Sequence, residues 1–395
     1  MAISRKVREQ MNNRSWIRRM FEEGIELRKI HGEQNVFDLS LGNPLLEPPP
    51  EFKAELQRLI DDEAPGTHRY SPQAGGIPEV RAKIAEVLAE ESGTPFTGSE
   101  VLMTVGAAGA INTILRSILD EGDEIVLIAP FFAEYTFYVA HQTGVSKIAT
   151  CDENWLPDIE SLEAAIGPRT RAVVINSPNN PTGVIYPESS IAAISAALKR
   201  AEKKYGTEIY LISDEPYRKL IYTDTPYPFI FEHHQRSIVA TSHSKDLGLA
   251  GERIGYIAVN PNDPGKTDLL DALNFSLRTL GFVNAPALMQ RVVARIQRTT
   301  VDIDIYRKKR DLLYGALTKI GYECVKPDGA FFVFPKSPIP DDVEFVAQLQ
   351  KELVLVVPGV GFGTPGYFRA SYCVDDWVIE GSIDGFRNLF AQVKS

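Results

Sequence analysis

The chain has 395 residues, 44% apolar and 24% charged, with no low-complexity tract; this suits a globular protein of two ordinary domains and excludes a fibrous or disordered one. A formal charge of −10 argues against general affinity for nucleic acid, which needs a positive surface, while leaving room for a local basic pocket that takes a small anion. Cys151, Cys324 and Cys373 stand far apart with no CxxC pair, so neither a disulfide framework nor a metal site is indicated.

From Arg5 to Ile30 the spacing of Trp16, Ile17, Met20, Phe21, Ile25 and Leu27 predicts a surface amphipathic helix. The segment lacks the continuous apolar stretch of a signal peptide, and Glu9, Glu22, Glu23 and Glu26 argue against a transit peptide. A cytoplasmic location with no membrane partner is therefore expected. A short run, Val36 to Leu41, and the proline-rich Leu45 to Pro50 lead into the middle of the chain. There, short apolar runs alternate with helical patterns: Val101 to Val105, Glu124 to Ala129, Ala172 to Ile175, Ile209 to Ile212, Ile238 to Thr241 and Ile254 to Val259. Runs apolar at consecutive positions predict a mostly parallel sheet covered by helices on both faces. One long helical pattern follows over Gln290 to Ile320, then strand-like pieces at Phe331 to Phe334, Val354 to Val357 and Phe368 to Tyr372, and a closing helical pattern near Ile383 to Val393. The expected class is α/β, with an N-terminal arm (1–48), a large domain (49–285) and a smaller α+β domain (286–395) completed by the arm. No repeat of 20–50 residues is visible.

In open parallel sheets ligands sit beyond the carboxyl ends of strands, so polar residues just after the apolar runs carry the chemical signal. After Ile238 to Thr241 come Ser242, His243, Ser244 and Lys245, then Arg253 and Gly255. A lone Ser-Lys pair reads as surface, but this spacing sets an amine beside two hydroxyls and a guanidinium that suit a phosphate. Asp214 follows another run; a carboxylate at a buried strand end needs a cationic partner, unless it serves as a helix cap. Asn176 to Gly183 is a turn fixed by two prolines and Gly183, whose asparagines can offer an amide to an oxyanion. Gly106, Ala107 and Ala108 open a helix and leave its backbone N–H groups approachable by phosphate; the motif is not GxGxxG. Arg369 begins a strand-like run, either as a surface ion pair or as a bidentate seat for a carboxylate.

Taken together, and in this order from Leu41-Gly42-Asn43-Pro44 to Arg369, these motifs resemble the class I/II aminotransferases, whose aspartate aminotransferase-like fold binds pyridoxal 5′-phosphate (PLP) on a mostly parallel mixed sheet. The resemblance implies that Lys245 carries the cofactor as a Schiff base and shuttles a proton, that Asp214 pairs with the ring nitrogen, and that Tyr217 and Asn180 share the phenolic oxygen. It places the phosphate on Ser242, Ser244, Arg253 and the N–H groups of Ala107 and Ala108, next to Gly106, and stacks Phe132 on the ring. It gives the substrate α-carboxylate to Arg369, Asn180 and the Gly42 backbone. Tyr70 matches a tyrosine that reaches a neighbouring subunit's phosphate, which implies a homodimer. The implied reaction moves an amino group from an L-amino acid to a 2-oxo acid in two half-reactions. Arg278 lies near a position that can supply a cation for a distal carboxylate; aromatic, aliphatic and unusual donors are the alternatives, and Ala108 stands where some members have a lysine. A PLP-dependent lyase or decarboxylase on the same fold and a non-catalytic regulator are the competing readings, though no basic module serves a DNA-binding regulator. Pro358 to Gly363 precedes no helical pattern and makes a poor nucleotide loop.

Overall fold

All six apolar runs of the central region become strands of one sheet in the computed structural model, which describes residues 3–12, 15–71, 73–224 and 226–394. They are β2 (Val101–Thr104), β3 (Glu124–Ala129), β5 (Thr170–Asn176), β6 (Tyr210–Asp214), β7 (Ser237–Ser242) and β8 (Gly255–Val259). A seventh strand, β4 (Val145–Thr150), closes one edge, and the spatial order is β2-β8-β7-β6-β5-β3-β4. Only β8 runs against its neighbours β2 and β7, so the sheet is mostly parallel and mixed. The sequence pattern missed β4 because an edge strand is wetted: Val145 is 40% and Ile148 45% exposed, and Lys147 pairs with Glu124 across the edge. Helices cover both faces, and the apolar side chains form one core on each.

A third core joins Met20 and Leu39 to side chains between Val301 and Leu389. It surrounds two small sheets. In one, β1 (Phe37–Asp38) runs parallel to β10 (Val354–Leu355). In the other, β12 (Phe368–Ser371) lies antiparallel between β11 (Val357–Pro358) and β9 (Phe332–Val333). The expected single strand Val354 to Val357 is thus two strands in different sheets. The closing helix is also longer than expected, spanning Asp376–Lys394.

Two helices expected as continuous are interrupted. The N-terminal pattern divides into Arg5–Asn12 and Trp16–His31, with Ser15 extended before the second (ψ 126°); Asn13 and Arg14 lie outside the described residues. Nor is the second helix confined to the surface: Met20 and Gly24 are buried, and a Cβ at Gly24 would lie 2.9 Å from Leu355. The later pattern divides into Ala287–Arg295 and Ile303–Ile320. There Asp302 caps the second helix by accepting from the Asp304 N–H at 3.0 Å, and Val301 turns into the core.

Candidate active site

The carboxyl ends of β5, β6 and β7 lie side by side, which puts Asn176 opposite Asp214 and Asp214 opposite Ala240 in register. Asn176 holds the first two ends together. Its Nδ2 donates to the Asp214 carbonyl at 2.8 Å while its Oδ1 accepts from the Asn180 N–H at 2.7 Å. The turn that presents Asn180 requires glycine at Gly183, where φ is +72° and a Cβ would lie 2.6 Å from Pro327.

Asp214 is buried, and burial pushes its carboxyl up to about 7; a hydrogen bond from the Tyr135 hydroxyl to Oδ2 opposes that rise. Its Oδ1 has no partner, which suits an acid waiting for a cation. Lys245 donates from Nζ to the Gly42 carbonyl at 2.6 Å. Burial lowers its amine to about 8, and the charges of Arg369 and Arg253 add to that lowering. About a tenth is then the neutral, nucleophilic base at pH 7, far more than for an ordinary lysine.

Arg369 is 1% exposed and pairs with no carboxylate among the described residues. Nη1 donates to Asn180 Oδ1 at 2.9 Å, Nη2 to the Ser40 carbonyl at 2.5 Å, and Nε has no partner. Its guanidinium lies 4.5 Å from the Phe332 ring centre and 4.9 Å from that of Phe362. Burial lowers it to about 10, so it stays a cation at neutral pH. The surface ion-pair reading is therefore excluded.

These groups meet in a cleft of about 390 Å³. Gly42, Ala107, Ala108, Phe132, Asn180, Asp214, Tyr217, Ser242, Ser244, Lys245, Arg253 and Arg369 all line it. Gly106 lies just behind, where a Cβ would be 2.8 Å from an Arg253 nitrogen, so glycine lets that guanidinium approach the start of the helix Gly106–Ile118. No side chain caps this helix; its first N–H groups, the Ser242 and Ser244 hydroxyls 3.1 Å apart, and Arg253 together form an anion cradle. The Tyr217 ring is fixed edge-on against Phe331 and Phe332, at 5.3 and 5.8 Å. Tyr70 is 84% exposed and outside the cleft. Arg278 is also exposed on its own chain, over the Phe275 ring at 5.5 Å.

Asn176, the first residue of the turn read from the sequence, also lines the cleft; sequence reasoning missed Tyr135, Tyr138, Phe332 and Ile17, which line it too. The spacing of Phe132, Tyr135 and Tyr138 at every third residue was the available signal for the first two. A larger groove of about 730 Å³ lies elsewhere, but four acids and no lysine or arginine are among its lining residues, so it lacks the cradle and the amine.

PLP makes three demands: an anion cradle, a carboxylate for its ring nitrogen, and a lysine able to condense with its aldehyde. The cradle, the unpartnered Asp214 Oδ1 and the lowered Lys245 amine fit them.

The model of a family described as "Aminotransferase class I and II" matches residues 34–384. The chain is 35% identical over 355 residues to a probable aspartate/prephenate aminotransferase of Thermus aquaticus, covering 88% of this chain and 90% of that one. It is 33% identical over 368 residues to the aspartate/prephenate aminotransferase of Thermus thermophilus, covering 90% and 91%. Among solved structures, an amino transferase from Eubacterium rectale superposes over 100% of both chains with a TM-score of 0.96 at 38% identity. Aspartate aminotransferase from Thermus thermophilus with maleate covers 98% of this chain and 100% of that one, with a TM-score of 0.86 at 28% identity.

Proposed function

The chain belongs to the class I and II aminotransferases and is a PLP-dependent transaminase, and from that premise we propose which residues do the work and how. The lyase, decarboxylase and regulator readings are not favoured by relatives named as aminotransferases. The observation that carries the assignment is the convergence of a buried amine, a carboxylate with an unpartnered oxygen and an acid-free guanidinium in one cleft.

When bound, PLP supplies a conjugated ring that draws electrons from a bond at the donor's Cα. Ser242, Ser244, Arg253 and the N–H groups of Ala107 and Ala108 would hold its phosphate; Phe132 would cover one ring face. Tyr135 holds Asp214 by one oxygen and leaves the other for the ring nitrogen, whose positive charge would keep Asp214 ionised despite burial. Tyr217 and Asn180 would share the phenolic oxygen. Lys245 takes the proton from Cα and returns it at the neighbouring carbon, a role that needs an amine titrating near neutrality.

Arg369 fixes the α-carboxylate, with Asn180 and the Gly42 backbone, and thereby sets which bond at Cα faces the ring. The aromatic walls of Phe132, Tyr135 and Phe332 keep water from the reacting atoms. The test is spectroscopic: a donor amino acid bleaches the visible band of the PLP-loaded protein, and a 2-oxo acid restores it. In Arg369→Lys, which cannot form the bidentate pair, kcat/KM for that donor falls about 100-fold. An unchanged value would take the carboxylate away from Arg369.

Amino acids and 2-oxo acids are the substrates. Aspartate is the first donor to try, given the names of the relatives. Lys245, Arg253 and Arg369 are the only lysine and arginines among the described lining residues. Arg278 can therefore read a distal carboxylate only from a neighbouring subunit. The same holds for Tyr70, so a homodimer with shared sites is part of the reading, as are a cytoplasmic location and a small domain built from residues 1–48 and 286–395. No helix among the described residues is long and apolar enough to cross a membrane. Mixing Lys245→Ala with Tyr70→Phe chains provides the check. Hybrid dimers contain one site with both defects and one with neither, so mixing gives more activity than the average of the two variants measured alone; no such excess counts against sharing.

A further inference from the structure

Glu215 and Asp246 each directly follow a residue assigned to catalysis, Asp214 and Lys245. Successive side chains of a strand point to opposite faces, so Glu215 turns away from the cleft into the space behind it. Both acids are buried, at 1% and 6% exposure, and both line a second, small cavity.

The backbones around this cavity are tied together. The Glu215 N–H donates to the Ala240 carbonyl at 2.8 Å, and the Thr241 hydroxyl to the Glu215 carbonyl at 2.9 Å. The Asp246 carbonyl accepts from the Val301 N–H at 2.8 Å and the Thr300 hydroxyl at 3.0 Å. His243 meets Asp246 Oδ2 through Nδ1 at 3.1 Å and Gln297 Nε2 through Nε2 at 3.0 Å. A proton on Nδ1 satisfies both contacts. Arg218 lies 3.5 Å from a Glu215 oxygen and also pairs with Glu91; Lys219 donates to the Gln297 carbonyl, and Tyr256 packs 6.0 Å from the His243 ring.

The side chains are left incomplete. Among the described residues Asp246 Oδ1 and both Glu215 oxygens are buried with no hydrogen bond within ordinary limits, although the Ser213 and Tyr227 hydroxyls lie close enough to Glu215 to lower its carboxyl. Unpartnered buried carboxylate oxygens are costly. The cavity between them has about 10 Å³ of space for water, which is room for one molecule.

We propose that this cavity holds one buried water shared by Glu215 and Asp246, and that through it the two acids act as positioning residues, holding the end of β6 that carries Asp214 and the turn that carries Lys245 in fixed relation. Transamination needs this because Lys245 must move its side chain while its backbone stays aligned with Asp214. The proposal rests on the catalytic assignment of those two residues.

Two measurements on the PLP-loaded protein decide it. A high-resolution crystal structure of the wild type should show a water within hydrogen-bond distance of both Asp246 Oδ1 and a Glu215 oxygen; a dry cavity, or a water touching only one acid, overturns the proposal. The second measurement is the pH midpoint of the bound cofactor's visible band in Glu215→Gln, Asp246→Asn and the double variant. Each single change loosens the hold on Asp214 and Lys245 and shifts the midpoint by about 0.5 unit, and the double variant shifts by less than the sum because both act through one water. Midpoints at the wild-type value in folded variants make the acids merely structural and overturn the positioning role. If Asp246→Asn does not fold, Glu215→Gln and the wild-type water decide between them. A wild-type protein without a visible band contradicts the assignment of Lys245 instead, and removes the positioning role with it, while the crystal structure still decides the water.

Discussion

Lys245→Ala abolishes the visible absorbance that PLP gives the wild-type protein and lowers amino transfer by about 10⁵-fold or more. The loss is this large because the substitution removes two functions at once, the covalent anchor of the cofactor and the base that moves the Cα proton. No other lysine lines the cleft among the described residues, so nothing stands in for it. The fold should tolerate the change: among the described residues Nζ makes one hydrogen bond, to the Gly42 carbonyl, and the variant no longer places an ammonium in a site that lowers its pKa to about 8. Melting temperature should therefore move by only a few degrees. The phosphate cradle is untouched, so PLP still binds the variant, without the visible band. A variant that kept the band, or lost activity only tenfold, would move the anchor to another lysine.

Asp214→Asn separates stability from catalysis. Burial raises the Asp214 carboxyl from 3.8 to about 7 in the folded cofactor-free protein. Between pH 4 and 7 the folded state then holds a proton that the unfolded state has released. Stability conferred by the protonated acid is full below pH 4 and is lost as pH rises through 7. Asparagine does not titrate, so the cofactor-free variant should gain on the order of 2–4 kcal/mol over the wild type at pH 8 and nearly nothing at pH 4. Glu215, pushed up to about 7 as well, remains in both proteins and gives both a residual slope. With PLP loaded, the order reverses. The asparagine amide donates to an unprotonated ring nitrogen and withdraws the charge that makes the ring an electron sink, so kcat falls on the order of 10²–10³-fold or more. Thermal melts at pH 4 and 8, with and without PLP, check both halves; a variant equally stable at both pH values relative to wild type contradicts the buried-acid account.

Much of this site was legible because its residues sit where a chain pattern changes character. Asp214, Ser242, Ser244 and Lys245 follow consecutive apolar runs, and a buried strand announces itself by those runs. Tyr135 was legible only as a neighbour of Phe132 and Tyr138 by spacing: its place against Asp214 depends on how the helix Glu134–His141 folds back over β6, which local spacing does not record. The edge strand β4 failed for the opposite reason, since half-wetted strands alternate and leave no run. Val354 to Val357 looked like one strand, because sequence reports that the stretch is buried and not which partner each part pairs with. The two split helices share a cause: periodicity continues through a break as long as both halves bury the same kind of face.

The seat of Arg369 is assembled from distant parts of the chain. Ser40, which accepts one of its hydrogen bonds, lies 329 residues away, and Asn180 lies 189 residues away. The phosphate cradle, by contrast, lies wholly between Gly106 and Arg253. Forming the central sheet therefore brings the cradle together, whereas the seat for an amino acid's carboxylate exists only once Arg369 has met the opposite end of the chain.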